Sequence, residues 1–259
     1  MSRSMALLVG VIAFVIFTLP MLLPVELSNP GPRLASPSVE HWFGTDQLGR
    51  DIAYRSFLGL IYTLEKGLMV LALCVLVGLL AALISSMTYG KTTDRFLIII
   101  AEAIRSLPGI PLAILFATFG FPVFTILVVF YWIPVWRLLR NLLVNQREKP
   151  YILAARLFGL STFRVLLCEV FPNISHRLIP YLPVILAEII GVIAALEFLG
   201  IGIEVDQPSL GEILSHSIQL GFAAPWSWLC GLFLLVCVIW LLTLLADHSQ
   251  RRRNCQPLS

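Results

Sequence analysis

Four ionisable residues stand inside long apolar runs of this chain: Glu102, Arg105, Glu188 and Glu197. A charge at the centre of a bilayer costs about 2.5 to 3.5 kcal/mol on insertion scales, so such residues pair, line a wet path or relay ions. Glu102 and Arg105 are spaced i, i+3 on one helix face and can pair with each other. About one turn later Pro108-Gly109-Ile110-Pro111 interrupts the helix, freeing backbone groups that need protein or water around them. Two readings stand open: a structural pair bridging helices, or a wall of a translocation path. Glu188 and Glu197 lie roughly 13 Å apart along a helix and on different faces, so they form no paired-carboxylate site by themselves. Glu197, near the end of its run, can reach water. Glu188, nearer the middle, needs a donor from a neighbouring helix or a partner subunit. Either carboxyl can instead protonate when buried.

The chemistry absent from the sequence narrows the classes further. It holds no G-x-x-x-x-G-K-S/T phosphate loop, no G-x-S-x-G elbow, no H-E-x-x-H and no Cys/His cluster. No catalytic residue, metal ligand set or bound cofactor is therefore expected. Three of the 5 cysteines, Cys74, Cys230 and Cys237, sit in apolar runs and read as small core residues. Uphill movement of a solute would draw on an ion gradient or on a separate ATP-hydrolysing partner.

The elements that must hold these residues are membrane helices. Of the 259 residues 58% are hydrophobic and only 13% charged, with a mean hydropathy of +0.91, which excludes an ordinary water-soluble enzyme. A net charge of +3 gives no case for nucleic-acid binding. Apolar stretches long enough to span a bilayer fall at residues 5–23, 67–87, 96–119, 121–139, 178–202 and 228–246. The first run exceeds the roughly 7 to 15 residues of a signal-peptide core and is read as a retained anchor. Phe119-Gly120-Phe121-Pro122 supplies the turn between the third and fourth spans. The expected organisation is an anchor helix with an external segment over residues 1–66, a five-helix core over 67–247 and a basic tail over 248–259.

Basic residues orient the array. With the N-terminus in the cytoplasm, thirteen of the 18 Lys and Arg fall inside; Arg33, Arg50, Arg55 and Lys66 fall outside, and Arg105 stays within a span. Both termini are therefore expected in the cytoplasm. Eight acids, among them Asp46, Asp51 and Glu212, fall outside and leave that face mildly negative.

Residues 137–177 form the longest cytoplasmic segment. Within it Pro150 stands at a helix start and Gly159 just past its end, with small Ala154 and Ala155 between. Such a helix suits docking into a groove of another protein, or lying on lipid headgroups. The run Leu153-Ala154-Ala155-x3-Gly159-x9-Glu169-x-Phe171-Pro172 resembles the E-A-A-x3-G-x9-I-x-L-P loop of inner-membrane permease subunits of bacterial ABC importers, and Asn173 continues it. Leu153, Glu169 and Phe171 depart from that pattern. A second run, His41-Trp42-Phe43-Gly44-Thr45-Asp46-Gln47-Leu48-Gly49-Arg50-Asp51 with Arg55, resembles the H-x-x-G-T-D-x-x-G-R-D-x-x-x-R signature of dipeptide, oligopeptide and nickel permeases. Gly44 and Gly49 permit tight bends, and Asp46, Arg50 and Asp51 can pair or cap helix ends, so the segment reads as a structural clasp.

The resemblance implies an all-α, six-helix bacterial inner-membrane permease of the type I importer kind. It implies a loop over residues 145–175, with Ala154, Ala155, Arg156, Gly159, Pro172 and Asn173, as the part coupled to the ATPases. Its partners would be a homologous permease subunit in a heterodimer, two ATP-binding subunits using ATP and magnesium, an extracytoplasmic solute-binding protein, and lipid. Cargo would be peptides, nickel or a metal chelate. The rival reading is an ion-coupled secondary transporter using Glu102, Arg105 or Glu188 as a relay.

Overall fold

The computed structural model describes residues 31–146, 149, 150, 152, 162–165, 174, 177–203, 207–221 and 224–254. The expected first span and Ala154, Ala155, Arg156, Gly159, Pro172 and Asn173 lie outside these residues. The described chain is helical, and its one β-type pairing is the isolated bridge between Thr45 and Asp51. Among the described residues four helices are long and apolar enough to cross a membrane, Ile52–Met87, Val123–Gln146, Ile179–Phe198 and Trp226–Ser249, and a bent pair, Thr92–Ser106 with Gly109–Thr118, adds a fifth if it crosses as one span.

Helix α1, Ile52–Met87, begins fifteen residues before the apolar run expected at 67. The segment before Gly67 holds good helix formers and no proline, and the Asp51 carboxylate caps its start by accepting the Tyr54 N–H at 2.9 Å. Hydropathy marked where the helix can enter lipid, not where it starts. The expected third span is broken into α2, Thr92–Ser106, and α3, Gly109–Thr118, which meet at an 86° bend. Pro108 forces the cause: it pushes Leu107 into an extended conformation and offers no N–H to continue the ladder. Gly120, at φ +84, then closes a turn in which Phe121 N–H reaches Phe116 O and Gly120 N–H reaches Ala117 O. Helix α4 follows as Val123–Gln146 with Pro134 inside it.

A 3₁₀ turn at Ile179–Tyr181 leads into α5, Leu182–Phe198. Helix α6, Leu210–Ile218, opens with a capping box: Ser209 Oγ accepts from Glu212 N–H at 3.1 Å and the Glu212 carboxylate accepts from Ser209 N–H at 3.3 Å. Helix α7 is Trp226–Asn254.

Two compact units divide the chain, one from Met1–Gly67 with Ile190–Leu244, the other from Leu68–Ile189 with Leu245–Ser259. In the first, Ile52, Leu60, Ile193, Leu196, Leu210 and Ile213 are buried. There α6 lies so close to α5 that a Cβ on Gly211 would sit 2.4 Å from Ala194 O. In the second, Val70, Cys74, Ile133, Val135, Leu139 and Leu143 form the core. A Cβ on Gly78 of α1 would stand 2.9 Å from the Val135 side chain of α4, so those two backbones also approach closely.

Candidate functional site

The 31–51 segment is folded by its own polar groups. Thr45 is fully buried, donating to Pro32 O at 2.5 Å and accepting from Ala35 N–H at 2.8 Å. Asp46 accepts from Leu48 N–H at 2.8 Å, Arg50 N–H at 2.9 Å and Arg50 Nε at 2.8 Å. Asp51 caps α1 with one oxygen and meets His41 Nδ1 at 2.8 Å with the other. Gly44 and Gly49 adopt φ +69 and +79, which a side chain resists. At Gly44 an added Cβ would also stand 2.3 Å from Ala35 O and 2.8 Å from Trp226 Nε1.

Arg55 ties this segment to α6. Its guanidinium lies 3.1 Å from Glu212, the residue that closes the capping box, and 3.9 Å from Asp46. One turn of α6 further on, His216 stands 3.8 Å from the same Glu212 carboxylate. Asp46 and Arg55 belong to the signature visible in the sequence, but the Arg55–Glu212 bridge spans 157 positions. Only the fold brings them together.

Glu197 is buried rather than at water: its side chain is 3% exposed and its Oε1 meets Lys66 Nζ at 3.3 Å. Lys66 comes from α1, 131 positions away, and an unpaired carboxylate so deeply placed would be costly. Glu188, on another face of α5, is exposed. Glu102 and Arg105 are both exposed on α2, and no ion pair joins them among the described residues. Their i, i+3 spacing permits contact without enforcing it.

One polar centre escaped sequence reasoning. Asp94, 2% exposed near the start of α2, accepts from Arg140 Nε at 2.9 Å and Arg140 Nη2 at 2.8 Å, in a bidentate fork. Ser85 Oγ near the end of α1 donates to the same carboxylate, and Gly90 N–H in the intervening turn donates at 3.1 Å. The Arg140 guanidinium also lies 5.4 Å over the Tyr89 ring, a cation–π contact. A signal was available: one acid and one base at the same-side ends of two expected spans, flanked by Lys91 and Arg137.

Comparison with known proteins places the sequence. Residues 74–254 match the family described as binding-protein-dependent transport system inner membrane component. The dipeptide transport system permease protein of Alkalihalophilus pseudofirmus is 32% identical over 82% of this chain and 71% of its own length. A peptide transport system permease protein of Escherichia coli O6:H1 is 30% identical over 89% of this chain and 77% of its own. The fold is also that of a solved structure of the MetNI methionine ABC transporter in an inward-facing conformation, at TM-score 0.61 and 20% identity, covering 75% of this chain and 94% of that one.

Proposed function

This chain belongs to the inner membrane components of binding-protein-dependent transport systems, a multi-pass membrane family, and from that premise we propose that it is the permease subunit of an ATP-driven peptide importer. The observation that carries the cargo class is the similarity to the dipeptide permease protein over 82% of the chain. Nickel or a metal chelate, which the shared signature also admitted, draws no comparable support. Neither does the ion-coupled alternative, since Glu102 and Arg105 form no joined relay.

In this reading the chain supplies path and coupling while partners supply energy and selectivity. A homologous permease completes the membrane channel, two ATP-binding subunits hydrolyse ATP with magnesium, and a solute-binding protein delivers cargo from outside. Both termini lie in the cytoplasm, as the distribution of Lys and Arg favours. The loop bearing Ala154, Ala155, Arg156, Gly159, Pro172 and Asn173 takes the push of the closing ATPases. The spans then rock between inward-open and outward-open states, so cargo meets one side at a time. The clasp of Gly44, Thr45, Asp46, Gly49, Arg50 and Asp51 holds the outer end of α1 in register with α6.

Uptake of a radiolabelled dipeptide into cells expressing the chain with its partner subunits tests this. Uptake should require an intact ATPase subunit and persist when the ion gradient is collapsed; the reverse pattern overturns the importer reading. Replacing Gly159 with valine should cut uptake about tenfold or more while membrane levels of the chain stay unchanged, because a β-branched residue disfavours the helix end that the sequence pattern expects there. Unaltered uptake would remove that loop from the coupling path.

A further inference from the structure

The Asp94 carboxylate joins three pieces of chain that are separate in sequence: the end of α1 through Ser85, the turn into α2 through Gly90, and the last two turns of α4 through Arg140. Resting on the importer reading, we propose that the Asp94–Arg140 pair is a positioning device for transport, binding the cytoplasmic ends of α1, α2 and α4 into one body so that displacement of the loop after α4 is delivered to all three.

The geometry supplies the lever. Arg140 stands six residues before Gln146, where α4 ends, which is about 9 Å of helix. Beyond that point the chain enters the segment that carries Ala154 to Gly159. A push on that segment reaches α4 first and covalently. It reaches α2 through the Arg140 fork on Asp94, and α1 through Ser85, to which Arg140 Nε also donates at 2.9 Å. A second contact keeps α1 and α4 together: Gly78 lies against Val135, about two turns from Ser85 on α1. Because both contacts follow the same direction along the two helices, α1 and α4 run parallel there and cannot slide separately without breaking both.

Packing alone would not select a charged pair for this position. A buried ion pair gains about as much from mutual attraction as it loses in desolvation, so apolar side chains of similar size would hold the helices with equal stability. A two-pronged guanidinium–carboxylate contact adds a fixed orientation. It ties the rotation of α4 about its own axis to two directional bonds as well as to packing. Lysine keeps the charge but loses the fork, which makes R140K the discriminating variant.

The full chain, its partner permease, both ATPase subunits and the binding protein would be reconstituted in proteoliposomes, with radiolabelled glycyl-leucine taken up and ATP hydrolysis followed together. R140K and D94N should assemble and hydrolyse ATP, while dipeptide taken up per ATP falls about tenfold. A merely structural contact would lower the amount of assembled complex and leave that ratio untouched. R140K complexes that transport at the wild-type ratio, or an R140K chain that no longer assembles, overturn the positioning role. A wild-type complex that shows no ATP-dependent uptake overturns the importer reading itself, independently of either variant.

Discussion

Asp46 serves three donors at once, Leu48 N–H, Arg50 N–H and Arg50 Nε, and it lies within 3.9 Å of Arg55. Its removal leaves two backbone amides of a tight loop without partners. D46A should therefore destabilise the 31–51 segment by about 1 to 3 kcal/mol, the cost of orphaned donors, with D46N losing less because its amide oxygen still accepts. Limited proteolysis of the purified protein checks this: cleavage within the segment should quicken for D46A and change little for a substitution at exposed Glu40. At this scale the sequence disclosed residue types but not partners. The signature around Gly44 to Asp51 pointed to a clasp because its residues are neighbours, and local hydrogen bonds follow local order. Glu197 with Lys66, 131 positions apart, left no local signal, and Asp94 with Arg140, 46 apart, left only the coarse one that both stand at same-side ends of expected spans. Glu102 and Arg105 show the converse: proximity in sequence without a bond in space.

Elements were more readable than their joints. The apolar runs located the spans because a bilayer demands about 20 apolar residues in a row: α4 begins two residues into the expected run at 121–139 and extends past it, and α7 contains the run at 228–246. The bend between α2 and α3 was announced by Pro108, but its 86° was not, since a proline breaks a ladder without fixing the direction taken afterwards. Helix α6 was missed as an element, being nine residues long and too short for a periodicity signal to stand out. Its place depends on Gly211. Alanine there would put a Cβ 2.4 Å from Ala194 O, backbone that cannot rotate away. G211A should cost about 1 to 3 kcal/mol, the usual penalty for overpacking. G191A on α5, where the new Cβ meets only Ile239 Cδ1 at 4.0 Å, should be neutral or slightly stabilising. Thermal unfolding of the detergent-solubilised protein by tryptophan fluorescence would rank the two; equal midpoints would mean α6 does not rest on α5 in the way described.

For the whole molecule, the number of crossings decides which side each loop occupies. If the bent α2–α3 pair crosses the membrane, α1 and α4 both end on the side that holds Lys91, Arg95, Arg140 and Arg147. If the pair turned back instead, α4 would carry Arg147 and Lys149 to the opposite face, against the positive-inside distribution. Reporter fusions after Gly90, Gly120 and Lys149 should therefore read inside, outside, inside. A fusion at Gly120 that reads inside would make α2–α3 a re-entrant hairpin.

Helix α1 is longer than any bilayer requires. Its 36 residues extend about 54 Å against a hydrocarbon thickness of about 30 Å, and only the part from Gly67 onward is uniformly apolar. The excess falls in the first fifteen residues, which carry Arg55 near their start and Lys66 at their end. Lys66 is anchored to Glu197 and cannot snorkel freely, so the depth at which α1 sits is pinned by protein contacts as well as by lipid. In a thicker or thinner bilayer this chain cannot accommodate hydrophobic mismatch by sliding α1 alone. The strain passes instead to tilt, which makes membrane thickness itself a variable of this permease.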